Sequence, residues 1–192
     1  VIIAKYGAVT LSGTIRQVNE STAYDCSAHN LTVNVTVNGG ANTSTTCTGV
    51  GGTYSLKIGS PTAAGDPIVV SVDNANAADY KGTTVTLAAD TTSNISGVDV
   101  FQNRVVLTHE NAGPMTNAKL ATGDNSDAGI RYSVASSALT VESGMELHVA
   151  TSKTFTPGGT VTTNASGGDF HIDDNATATF DTAGNTVGLD VL

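Results

Sequence analysis

The chain has 192 residues, a formal net charge of −9 and only 8 Lys plus Arg. Cations this sparse and scattered exclude a phosphate-binding surface, so nucleic acid is not an expected partner. Only 13% of residues are charged, 5% are aromatic and Trp is absent, while β-branched Thr and Val and turn-forming Gly, Asn and Asp abound, which predicts an all-β chain with almost no helix.

Residues 1–8, "VIIAKYGA", open the chain with an apolar, β-prone extension. Val1, Ile2, Ile3, Ala4 and Tyr6 give it apolar side chains on both faces, as in a strand buried inside a sheet or between sheets. It either pairs within its own domain or serves as a donor strand that completes a neighbouring subunit. The second contact, repeated head to tail, builds a homopolymer filament rather than a closed oligomer. The first residue is Val, and "VIIA" is too short for a signal peptide or a membrane span, so a mature exported form is expected.

Residues 9–106 alternate short strand candidates with turns: "AVTLSGTI" (8–15), "LTVNVTV" (31–37), "GTYSLKI" (52–58), "PIVVSV" (67–72), "TTVTLAA" (83–89) and "GVDVFQNRVVL" (97–107). In the second of these, Leu31, Val33, Val35 and Val37 face one side and Thr32, Asn34 and Thr36 the other. Asn38-Gly39-Gly40 follows as a tight turn. Six strands at this spacing predict an Ig-like antiparallel β-sandwich.

Cys26 and Cys47 match no metal-ligand spacing. They are either buried thiols or, as expected here, a disulfide closing a loop of just over twenty residues, which would place the protein outside the cytoplasm. Asn-x-Ser/Thr sequons begin at Asn19, Asn30, Asn34, Asn42, Asn94, Asn164 and Asn175, acceptors only if the source glycosylates exported proteins.

"LSGTIRQ", "LTVNVTVNGG" and "TGVGGTYSLKI", in that order, resemble the carboxypeptidase-regulatory-like and collagen-binding-protein B-type modules, which are transthyretin-like β-sandwiches. The resemblance spans residues 9–100. It departs from the family between Arg16 and Asn30, where the usual G-x-P turn is missing and Cys26 stands instead, and before Tyr54, where Gly-Val-Gly-Gly replaces a turn that often carries Asp. The resemblance implies an inert spacer or stalk of an exported protein.

Residues 107–130 are polar and read as a linker or long loop between domains. Residues 131–192 return to short strands, including "LTVESGMELHVATSKTF" (139–155) and "FHIDDNATATF" (170–180). Aligning Leu139 with Phe170 and Val141 with Ile172 gives a weak repeat with an offset of 31. This second β-rich domain is either another sandwich or a short β-solenoid, and it resembles the repetitive β-rich regions of bacterial surface and secreted proteins.

Candidate chemistry is thin. Of the four histidines, His148 and His171 point outward on their strands, where a site shared with Asp173 or Glu146 is conceivable, but scattered outward histidines are ordinarily solvated. The acidic loops at 73–80 and 123–129 do not match a calcium-loop pattern. No nucleophile elbow, zinc-protease, P-loop or dinucleotide motif occurs. The expectation is therefore no catalytic residue, no metal and no cofactor. The chain reads as a structural subunit of an extracellular filament or surface fibre that self-associates, with glycans or other surface proteins as further partners. The competing readings are a segment of a larger secreted adhesin and a solenoid enzyme acting on polysaccharide, which would need carboxylates clustered near His148, His171 and Asp173.

Overall fold

The computed structural model describes residues 7–73, 80–110, 113–163, 168–180 and 187–188. The donor-strand candidates Val1, Ile2, Ile3, Ala4 and Tyr6 lie outside these residues, as does Asn164.

The first half contains β1 (Ala8–Arg16), β2 (Thr32–Val37), β3 (Thr43–Thr46), β4 (Thr53–Gly59), β5 (Pro67–Asp73) and β6 (Gly82–Leu87). β1 pairs antiparallel with β4, β2 with β3 and β5, and β5 with β6. The stretch expected as one strand at 97–107 is two, β7 (Val100–Phe101) and β8 (Arg104–Leu107). Asn103, with φ of 60°, turns the chain between them, a conformation that Asn tolerates better than most residues. β7 joins β1 and β8 joins β6, both in parallel. This segment thus crosses from one sheet of the sandwich to the other. Leu11, Ile15, Val33, Val35, Tyr54, Val70 and Val100 fill the core between the sheets.

Cys26 and Cys47 are buried against that core and bonded as a disulfide, with Cα atoms 5.8 Å apart. Replacing both by Ser is expected to cost about 3 kcal/mol through the entropy regained by the unfolded chain. Chemical denaturation of the double variant beside the oxidised parent measures it; unchanged midpoints would refute the estimate.

The second half is a short three-faced β-solenoid. After α1 (Asn117–Gly123) come β9 (Tyr132–Ala135), β10 (Ala138–Val141), β11 (Glu146–Val149) and β12 (Thr154–Phe155). The next coil holds β13 (Val161–Thr163), β14 (Phe170–Ile172) and β15 (Thr177–Ala178), and β16 (Val187–Gly188) follows. One face is β10, β13 and β16 in parallel, the second β8, β11 and β14, the third β12 and β15. Leu139 lies beside Val161 and Leu147 beside Phe170, so one coil is about 22 to 23 residues. The offset of 31 is therefore not the structural repeat. It matched the alternation of β10 to that of β14, two strands that lie on different faces.

The two halves share one sheet, in the order β14-β11-β8-β6-β5-β2-β3. The sandwich strand β6 is the first rung of the parallel ladder that β8, β11 and β14 continue. Val69, Val85 and Leu87 belong to sandwich strands, yet they pack into the solenoid core with Leu139, Leu147, Val149 and Phe155. The outer face of β2, β5 and β6 is consequently covered. Asn34, Thr36, Ser71 and Thr83, polar residues suited to solvent, are buried beneath the second half.

Nor do residues 113–130 form a free linker. Thr116 caps α1 by accepting the Lys119 backbone N–H at 3.1 Å, as a helix start requires. Met115 and Leu120 are buried in the solenoid core, and the Tyr132 hydroxyl donates to the Leu120 carbonyl at 3.1 Å. Asn117 Nδ2 donates to the carbonyls of Ser137 (2.8 Å) and Thr160 (3.0 Å), which enter β10 and β13. The helix thus ties the first coil to the next. Among the described residues no helix is long and apolar enough to cross a membrane.

Candidate functional site

The outward positions of the parallel ladder line one side of a groove where the solenoid meets the sandwich. Thr84, Val106, His148 and His171 stand in register across β6, β8, β11 and β14. One step back along the strands, Arg104 stands beside Glu146. Asp99 and Glu20 approach from the sandwich, enclosing about 260 Å³.

In-register stacking dictates the geometry. Parallel strands place equivalent side chains one above another, so the His148 and His171 rings lie 4.9 Å apart and nearly parallel, at 14°. His148 Nδ1 meets Glu146 Oε1 at 2.9 Å, and its Nε2 meets Asp173 Oδ2 at 3.1 Å. His171 Nε2 meets the other Asp173 oxygen at 3.3 Å. Each carboxylate is itself held. Arg104 contacts Glu146 at 3.1 Å and Glu20 at 2.5 Å, while the Thr151 backbone N–H and hydroxyl donate to Asp173 at 3.1 and 2.9 Å.

His148 is only 5% exposed. Burial alone would lower its pKa, but hydrogen bonds to Glu146 and Asp173, and their charges, outweigh it and raise His148 above the ordinary histidine value. Burial likewise pushes Glu146 and Asp173 up. The opposing hydrogen bonds from His148 and Thr151, with the positive charge of Arg104 and the imidazoles, leave both carboxyls below the usual range. Both His148 nitrogens face a carboxylate oxygen, an arrangement complete only when the ring is a cation. The pocket is built around positive charge.

Comparison with protein-family models, with curated proteins and with solved structures finds no match.

The geometry changes the sequence reading of this cluster. His148 and His171 do point outward, but they are not scattered: they stand on adjacent rungs with Glu146 and Asp173. Nor is His148 solvated. Neither Arg104 nor Glu20 was a candidate, since their ion pair joins positions far apart in the chain. The one local signal was the alternation of Arg104 with Val105, which sets the charge on the outer face.

The other expected residues stay apart from the groove. Asn19, Asn30, Asn42, Asn94 and Asn175 are exposed. Asn34 is 7% exposed and its side-chain oxygen accepts the Ser44 hydroxyl at 2.7 Å, so in this fold it cannot take a glycan. In the 123–129 loop, Asp124, Asn125 and Asp127 accept the backbone N–H groups of Ser126, Asp127 and Gly129. These side chains hold their own turn, and Asn125 and Asp127 also bind the turn at Gly40 and Asn42.

Proposed function

We propose that the chain is a non-catalytic structural part of an exported surface fibre, in which the sandwich caps and seeds a β-solenoid shaft. The observation that carries this reading is the unbroken parallel ladder from β6 through β8 and β11 to β14. A solenoid coil cannot bury its own apolar face, and its first rung needs a template and a cover. Here the sandwich supplies the template strand together with Val69, Val85 and Leu87, and α1 covers the remaining core. Among the described residues, Ile172 on β14, in register with buried Val149, is 42% exposed, an edge suited to a further coil or a neighbouring molecule. The disulfide supports an oxidising location.

Two routes lead from this unit to a fibre. Further coils can stack along one chain, as in a long adhesin, or the apolar N-terminal segment of one copy can add a strand to the next. Antibody labelling of intact source cells, combined with negative-stain electron microscopy of the purified protein, tests the proposal. Surface labelling is expected, with either rod-like extensions or fibres. Deletion of residues 1–8 abolishes fibres only in the second route. A protein found inside the cell, with neither, would overturn the reading.

A further inference from the structure

We propose that His148, His171 and Asp173 form a site for a divalent transition-metal ion, zinc being the best-matched class, that clamps one solenoid coil to the next. His148 comes from β11, His171 from β14, and Asp173 directly follows β14. An ion held by all three therefore crosses the seam between successive coils. Side-chain atoms of the three residues lie within 4.8 Å of one another. Zinc ligands at 2.0–2.2 Å in a tetrahedron stand about 3.4 Å apart. His148 and His171 contact the two different oxygens of Asp173, at 3.1 and 3.3 Å, each a separation close to that edge. To share one ion through a single Asp173 oxygen, one imidazole must shift toward that oxygen and toward the other ring, and His171, with a side chain 54% exposed, is the one with room to move.

The surroundings match what a histidine–carboxylate site needs. Glu146 holds His148 Nδ1 at 2.9 Å, which leaves Nε2 as the ligand atom and fixes the ring plane. A carboxylate behind a ligating imidazole orients it and raises its basicity. Arg104 restrains Glu146, and Thr151 restrains the Asp173 oxygen that faces His148. Metal binding needs the free imidazole nitrogens, so it releases any proton they carry. Two nitrogens and one carboxylate suit zinc and its neighbours and disfavour calcium, which prefers six or more oxygens. His148 and Asp173 both line the groove, so water there can supply a fourth ligand.

The clamp does not depend on the fibre role, and its test separates the two. The full chain, without a histidine tag, is titrated with Zn²⁺ by calorimetry and with Co²⁺ by visible absorption, and melted with and without Zn²⁺. Expected are one ion per chain, a tetrahedral Co²⁺ absorption band that Zn²⁺ displaces, and a melting temperature raised by several degrees at saturating zinc. His171→Ala removes an exposed ligand and leaves the fold intact; it should abolish both the band and the zinc-dependent rise. Glu146→Gln should retain binding but weaken it roughly 10- to 100-fold, as a positioning residue does. Should Zn²⁺ give no heat and no stabilisation, or should His171→Ala bind as the parent does, the site does not exist. Equal stabilisation by Ca²⁺ would also overturn it.

Discussion

Gly13→Ala is expected to destabilise the protein by about 3 kcal/mol, the upper part of the range for overpacking a tight interior, and to lower the melting temperature by roughly 6 to 12 °C. The cause is one crowded point in the sandwich. Gly13 in β1 stands opposite Tyr54 in β4, and the chain that leads into β7 passes directly over it. A Cβ at position 13 would land on the backbone carbonyl of Val98 and against the Tyr54 hydroxyl. Neither can yield cheaply. The Tyr54 hydroxyl donates to that same Val98 carbonyl, and Val98 N–H is bound to the Ser12 carbonyl at 3.2 Å. Moving Val98 therefore loosens β7, which is what joins the first sheet to the strand crossing toward the solenoid. Tyr54→Phe provides the control. It removes the buried hydrogen bond and leaves the Val98 carbonyl short of a partner, so it should cost about 1–3 kcal/mol without steric conflict. Thermal and denaturant unfolding of both variants measures the pair. A Gly13→Ala protein as stable as its parent would show that the close approach is not a constraint.

Part of the sandwich could be read in advance. The "LSGT" and "GTYSL" phrases read as strands, and the fold adds that their Gly13 and Tyr54 meet across β1 and β4. The inner face of β2 was equally legible, because Leu31, Val33, Val35 and Val37 alternate with polar residues. The outer faces were not. Asn34, Thr36, Ser71 and Thr83 obey the pattern of a solvated face, but the solenoid packs on them, and alternation cannot report what a distant segment covers. Coil length was hidden for a related reason. Strands of two to four residues carry too little alternation to fix a register, and the 31-residue match joined strands of different faces. The histidine pair depends on that register: with the true step of about 23 residues His148 falls beside His171, and with the step of 31 it does not. α1 escaped notice because "NAKLATG" is short and has no apolar stripe of helical period beyond Leu120. The resemblance to carboxypeptidase-regulatory-like modules remains a likeness of three phrases, and an inert stalk is in keeping with the role proposed above.

Separating the halves is expected to unfold the second. A fragment spanning residues 104–192 would begin at β8 with the hydrogen-bonding edge that β6 now occupies laid bare. Its core would lose Val69, Val85 and Leu87, each almost fully buried in the intact protein. Each such side chain contributes about 1.5–3 kcal/mol by burial, so the three together are worth roughly as much as the entire net stability of an ordinary domain. A stack of so few coils has no reserve to offset that, since its stability is close to a sum of coil and interface terms. The converse fragment, residues 7–103, keeps its own core between the sandwich sheets but exposes the same three side chains on β5 and β6. It is therefore expected to fold and to aggregate. Far-UV circular dichroism, amide dispersion in NMR spectra and light scattering of the two fragments distinguish the outcomes. Mixing them should restore order to the solenoid fragment if β6 is the template on which the coils assemble. A solenoid fragment that melts cooperatively by itself would mean that the coils carry their own nucleus, and the sandwich would then be an appended domain rather than the seed of the shaft.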